Sequence, residues 1–126
     1  MKILNRDINQ LIQFLDNLKL KGRESLGRTK LKEKLSTQNE VVTNDQVAII
    51  DEFDGWTNKE TGQFTNGNKE LNESINDLLM EEVEITYNSP FRKDFAKALE
   101  DYEDELSGQD ADAYAILYEQ LLQEDE

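Results

Sequence analysis

The chain has 126 residues, 28 Asp or Glu against 14 Lys or Arg, a formal net charge of −14, and neither histidine nor cysteine. That composition excludes disulfides and thiolate metal sites, removes the imidazole that usually serves as catalytic base or zinc ligand, and opposes direct binding to nucleic acid, whose phosphates are held by Lys and Arg. No apolar run approaches a membrane span and the first residues lack the apolar region of a signal peptide, so one domain, 1–126, in the cytoplasm of a bacterial host cell is expected.

Met1 to Leu4 reads as a short strand. Asn5 suits an N-cap and Asp7 a first helical turn, where a carboxylate complements the dipole. Ile8, Leu11, Ile12, Leu15 and Leu18 then mark one face of a helix over 5–20, ended by Gly22. Leu31, Leu35, Val42, Ile49 and Phe53 stay in helical phase and predict one helix over 24–53, about 45 Å long at 1.5 Å per residue. The β-branched and cap-like run Val41-Val42-Thr43-Asn44-Asp45 offers a break. The apolar stripe keeps its phase through that run, which favours continuity.

Residues 54–68 form a polar loop containing Gly55, Gly62 and Gly67, with a small hairpin turning at Lys59-Glu60-Thr61-Gly62. Asn68 can cap a helix over 69–81 with Leu71, Ile75, Leu78 and Leu79 inside. Val83-Glu84-Ile85-Thr86-Tyr87 alternates apolar and polar and reads as a strand whose evident partner is the N-terminal tetrapeptide. Ser89-Pro90 opens the next helix, because serine caps and proline fits a first position whose N–H has no partner. That helix is expected over 90–107, with Phe91, Phe95, Leu99, Tyr102 and Leu106 inside and Gly108 as its stop. Asp110 can cap a last helix over 110–123 with Tyr114, Leu117, Tyr118, Leu121 and Leu122 inside. Its acidic end, Glu124-Asp125-Glu126, opposes the dipole and predicts fraying. The expected fold is mainly α: a helical bundle with a long helical hairpin and at most one minimal two-stranded pairing.

Charge divides unevenly along the chain. Residues 1–36 hold nine Lys or Arg and four Asp or Glu, a net of +5, whereas 37–126 hold five and twenty-four, a net of −19. Two explanations follow: a solvated surface together with internal pairing of the basic N-terminal third with the acidic remainder, or an acidic part that faces a basic partner. Glu100, Asp101, Glu103 and Asp104 form the densest carboxylate group and, spread around the outer side of the helix opened by Ser89-Pro90, are the first partner-binding candidates. Trp56 and Phe64, large apolar residues in the polar loop, are the second, since aromatic residues dominate binding hot spots. The basic run Lys19, Lys21, Arg23, Arg28, Lys30, Lys32, Lys34 could grip phosphate at a helix start, but it lacks the interleaved aromatics of a single-strand binder.

Catalytic signals are sparse. There is no phosphate-cradling glycine pattern. Asn66-Gly67-Asn68-Lys69-Glu70 has some character of a calcium loop, but Leu71 stands where the sharp turn needs glycine. Glu81 and Glu84, then Glu100 and Glu103, have the i, i+3 spacing with which all-α nucleotide pyrophosphatases hold Mg²⁺. Carboxylates are so common after residue 37 that such pairs arise by chance, and Glu84 falls in the strand. No catalytic residue, metal or cofactor is therefore assigned, and binding of a protein partner is the expected function; homodimerisation is compatible with it.

Met1-Lys2-Ile3 leading into a helix, then Leu18-Lys19-Leu20-Lys21-Gly22, Ser25 and Arg28-Thr29-Lys30, and Leu106-Ser107-Gly108 before a tyrosine-containing helix, together resemble a family of small uncharacterised proteins encoded by phages and prophages of Gram-positive bacteria. The resemblance implies viral origin and a fold rich in helical hairpins, with no activity to carry over. It adds two readings of the acidic surface: an inhibitor of a basic, nucleic-acid-binding host defence protein, or an accessory protein of phage morphogenesis or the tail module.

Overall fold

In the computed structural model, which describes residues 1–65 and 67–122, five α-helices carry the fold: α1 Ile8–Asn17, α2 Gly22–Glu52, α3 Lys69–Leu79, α4 Arg92–Glu100 and α5 Gly108–Leu122. Four short strands, β1 Lys2–Leu4, β2 Trp56–Asn58, β3 Gln63–Phe64 and β4 Glu82–Glu84, make two antiparallel pairs, β1 with β4 and β2 with β3. The mainly helical architecture with minimal strand pairing is as expected, though with two short pairs where at most one was expected. The unbroken 31-residue α2 agrees with the phase of its apolar stripe.

Helix α2 is the spine against which α1, α3 and α4 pack. Leu31 and Leu35 are fully buried along it and Val42 and Ile50 nearly so; burying each such side chain stabilises by roughly 1.5–3 kcal/mol. Helix α1 runs back along the first half of α2. The turn between them is tied by Arg28, whose Nη1 donates to the Leu15 and Leu18 carbonyls at 2.9 and 3.0 Å. These carbonyls lie at the end of α1, where the helix leaves acceptor capacity over; that of Leu15 also accepts from the Leu18 N–H at 3.3 Å. Helix α4 crosses α2 at Gly27. A Cβ there would lie 2.5 Å from the Phe91 carbonyl oxygen and 2.7 Å from the Phe95 Cβ, so only glycine admits the crossing. The Tyr87 hydroxyl donates to the Gly27 carbonyl at 2.6 Å from the same side.

The strand β1 lies against β4 in the register Lys2↔Glu84, Ile3↔Val83, Leu4↔Glu82. Asn5, the one buried polar residue among those described, joins three elements at its end. Its Nδ2 donates to the Leu78 carbonyl at 2.9 Å, its Oδ1 accepts from Gln38 at 3.2 Å, and its N–H donates to the Glu81 carbonyl at 3.0 Å. Asn68 caps α3 as expected, accepting from the Leu71 N–H at 3.1 Å.

Several boundaries differ from expectation. The first helix begins after a 3-10 turn over Asn5–Asp7 and ends at Asn17 rather than 20. Gly22 (φ +45°) and Gly108 (φ +57°) stand at helix starts rather than ends. The left-handed conformation that suits glycine after a helix is here used to redirect the chain into one. The strand expected over 83–87 is 82–84, although Ile85 N–H still donates to the Met1 carbonyl at 2.7 Å. Ser89 accepts from the Phe91 N–H at 3.0 Å, but α4 proper starts at Arg92, one turn beyond Ser89-Pro90. The largest correction is at the other end of that helix: it stops at Glu100, and 101–107 is irregular. Carboxylates three and four apart repel, and they crowd a helix C-terminus whose dipole also disfavours them. Asp110 lies in the first turn of α5 rather than capping it. The fraying expected at 124–126 falls outside the described residues.

Gly27→Ala is expected to lower stability by about 1–3 kcal/mol through overpacking at the crossing, against the gain of up to about 1 kcal/mol that Gly→Ala brings at an open helical site. Urea denaturation measures it; an unchanged or raised midpoint would show that α2 and α4 do not meet at this glycine.

Candidate interaction surface

The irregular stretch after α4 separates its residues by polarity. Tyr102 and Leu106 still pack on the core, while Asp101, Glu103, Asp104 and Glu105 are exposed, as is Glu100 at the helix end. The expected row around a helical surface is therefore replaced by carboxylates on a non-helical strap. It runs beside the tyrosines of α5. Tyr102 and Tyr114 have ring centroids 5.8 Å apart, Tyr114 and Tyr118 5.9 Å, and Phe14 meets Tyr114 edge-on at 6.5 Å. The Tyr114 hydroxyl donates to the Leu99 carbonyl at 2.6 Å, near the end of α4. Burial raises the pKa of Tyr102, with Asp104 and Asp110 adding to it. Burial likewise raises that of Tyr114, reinforced by Tyr118, Glu100 and Tyr102. Both hydroxyls are thus neutral near pH 7, as an uncharged aromatic surface requires.

Tyr118, expected inside, is 40 % exposed. Helix α5 carries apolar residues on two sides. Ala113, Leu117 and Leu121 form the buried one, packed towards α1 and α4. Periodicity alone could not choose between two stripes of the same period. The clue available in the sequence was the excess of apolar positions for a helix at a surface.

Trp56 and Phe64 face each other across the β2–β3 pair. Both are half-buried, and the Trp56 indole N–H donates to the Asp51 carboxylate near the end of α2, with Lys59 Nζ 3.6 Å from the same group. Gly55 seats the hairpin against α3, since a Cβ there would come within 2.7 Å of Leu71 Cδ2. The two aromatics thus belong to a hairpin folded onto the end of the spine, and the structure places them on different elements from the acidic strap.

In the basic run, three of the seven side chains are committed to the fold. Arg28 ties the α1–α2 turn, Lys32 pairs with Asp16, and Arg23 pairs with Asp94 at 3.2 Å while lying over the Phe91 ring at 4.9 Å. The carboxylates with magnesium-site spacing do not share helices. Glu81 lies between α3 and β4 and Glu84 is on β4, where it pairs with the N-terminal ammonium at 3.0 Å; Glu103 lies beyond the end of α4. Among the described residues no three carboxylates come together as a metal site. The loop weighed for calcium includes Asn66, which lies outside the described residues.

Ion pairing bears on the charge asymmetry. Among the described residues, Arg6–Asp7, Lys30–Glu33 and Lys32–Asp16 lie within 1–36, and Lys59–Asp51 and Lys69–Glu73 within the remainder. Only Arg23–Asp94 and the N-terminal ammonium with Glu84 join the two parts. Among the described residues, close ion pairs thus join the basic third to the acidic remainder at two places. Compared with protein-family models, curated proteins and solved structures, the chain matches none.

Three tyrosines, Tyr87 buried and Tyr102 and Tyr114 half-buried, bear on stability at alkaline pH. Burial raises Tyr87 well above its usual range, with Arg92 opposing only in part, and Tyr102 and Tyr114 are raised as well. A raised folded pKa gives stability that is intact below the unfolded value of about 10 and lost as pH climbs above it towards the folded value. Tyr87→Phe is expected to cost about 1 kcal/mol at neutral pH, for the lost bond to Gly27, and to make the decline above about pH 10 shallower. Urea midpoints across that range check it; an equally steep decline in the variant would remove Tyr87 as a source.

Proposed function

We propose that this chain acts by contact, engaging a basic protein partner through the acidic strap at 100–105 and the adjoining side of α5, in the manner of a small phage or prophage protein directed at a nucleic-acid-binding host protein. The observation that carries the reading is the charge ledger of the fold. Five carboxylates in six residues, Glu100, Asp101, Glu103, Asp104 and Glu105, are exposed, and none has a cationic partner among the described ion pairs. Like charges kept this close cost stability, and an oppositely charged partner surface would relieve the cost.

The geometry also informs the choice between the two viral readings. Once the carboxylates leave α4 they lack the regular spacing with which a helix could imitate a phosphate backbone. A mixed aromatic and acidic face favours recognition of a folded basic protein surface. A role as accessory protein in phage assembly is the second reading, and the apolar outer side of α5 is what favours it.

Capture of proteins from a Gram-positive lysate, at about 0.1 M and about 1 M salt, tests the proposal. Screening shortens from about 10 Å to about 3 Å between those conditions. The expected result is a basic partner retained at low salt and lost at high salt, and absent with Glu100→Lys/Asp104→Lys. That variant should fold at least as stably, because repulsion is relieved. Equal capture by the variant at low salt would exclude the strap.

A further inference from the structure

Helix α5 has an outer stripe with nothing described over its exposed part. Ala111, Tyr114, Ala115, Tyr118 and Leu122 follow at offsets of 0, 3, 4, 7 and 11, which places them on one side of a helix. Ala115 is exposed and Tyr118 is 40 % exposed. A shallow open depression here is lined by Tyr114, Ala115, Tyr118 and Glu119. The rings are held in place beforehand: Tyr114 by its bond to Leu99 and by stacking, Tyr118 by Tyr114. A surface already ordered loses little entropy on binding, which is why rigid tyrosines serve well as contact residues.

Charge selects the occupant. No Lys or Arg follows Lys97 in the chain; Glu119 lines the depression, Asp104 and Asp110 act on Tyr102 beside it, and Lys2 is the cation that approaches α5, beside Glu119 and Gln120. A second copy docking through the same stripe would set acidic rim against acidic rim, as a two-fold contact must. A cationic partner meets no such opposition. Arginine fits better than lysine, because its planar guanidinium stacks on a tyrosine ring and still forks onto a neighbouring carboxylate.

We propose that the outer stripe of α5, centred on Tyr114, Ala115 and Tyr118, is the seat for an arginine-bearing amphipathic helix of a partner protein. This rests on the acidic-contact reading above and adds the place and the chemistry of recognition. Apolar side chains of the partner fill the depression at Ala115, and its flanking arginines lie over Tyr118 and reach the rim.

The probe is a labelled, fifteen-residue amphipathic helical peptide with leucines on one side and arginines flanking them, beside versions with lysine or glutamine for arginine. Fluorescence anisotropy reads binding to the full chain. The arginine peptide is expected to bind, the lysine version about threefold more weakly through loss of stacking, and the glutamine version not measurably. Tyr118→Ser is expected to weaken the arginine peptide about thirtyfold, the loss typical of an aromatic hot spot. Ala115→Arg, at an exposed position that leaves the buried side of α5 intact, should do the same by filling the depression and bringing like charge; circular dichroism confirms that both variants fold. Binding that survives both variants but is lost with Glu100→Lys/Asp104→Lys would overturn the α5 seat and leave the acidic reading standing. No binding of either cationic peptide would overturn the seat, with lysate capture still deciding the broader reading. A wild-type dimer in sedimentation equilibrium that Tyr118→Ser dissociates would overturn it in favour of a second copy.

Discussion

A 31-residue helix presents more apolar length than any other single element of this chain can cover, and the rest of the fold is arranged to meet that demand. Helices α1 and α4 cover the first half of α2 and α3 covers the second, while the β2–β3 hairpin closes its end. The tightest point is Gly27, where the backbone of α4 comes within a distance that admits no side chain. The Tyr87 hydroxyl and the Arg28 guanidinium fix the segments on either side of that crossing. The exposed ion pairs contribute at most about 1 kcal/mol each, so the assembly is held by apolar burial along α2 and by a few buried or part-buried hydrogen bonds centred on Asn5, Arg28 and Tyr87.

Because the spine organises the core, the outer elements are free to carry charge. Helix α4 ends where the run of carboxylates from Glu100 to Glu105 begins, and the strap that follows packs on the core through Tyr102 and Leu106. Helix α5 packs on α1 and α4 rather than closing over α2. Its second apolar stripe is consequently left beside the strap. Aromatic rings and uncompensated carboxylates thus come to share one side of the molecule. Either feature alone is ordinary on a protein surface; their adjacency, with two ion pairs alone joining the basic and acidic parts among the described residues, is what the proposal of a partner rests on.

The stripes on α1, α2 and α3 were legible in the sequence from their helical spacing, and the phase of Leu31, Leu35, Val42 and Ile49 was enough to show that α2 does not break. The pairing of β1 with β4 was legible because the alternation at 83–87 had one partner available. The end of α4 was not. Tyr102 and Leu106 keep helical phase and still pack inward, so periodicity continues across a stretch in which electrostatics has already ended the helix. Nor could Tyr118 be assigned, since a helix with two apolar stripes does not say which one is buried. Gly22 and Gly108 misled for a related reason: glycine marks a change of direction, and only the surrounding contacts show whether a helix is ending or starting. The candidate surface was thus half legible, with its carboxylates visible in composition and its tyrosines visible only once α5 had neighbours.

The central claim is that the acidic surplus is left unneutralised within the fold, and the dependence of stability on salt tests it most directly. If the net charge of −14 acts mainly as self-repulsion, screening should stabilise the protein. The urea midpoint should then rise between about 0.1 M and about 1 M potassium chloride, steeply at first and then levelling as the screening length falls from about 10 Å to about 3 Å. A midpoint that falls over the same range would mean that attraction between the basic third and the acidic remainder holds the fold together, and would contradict the account.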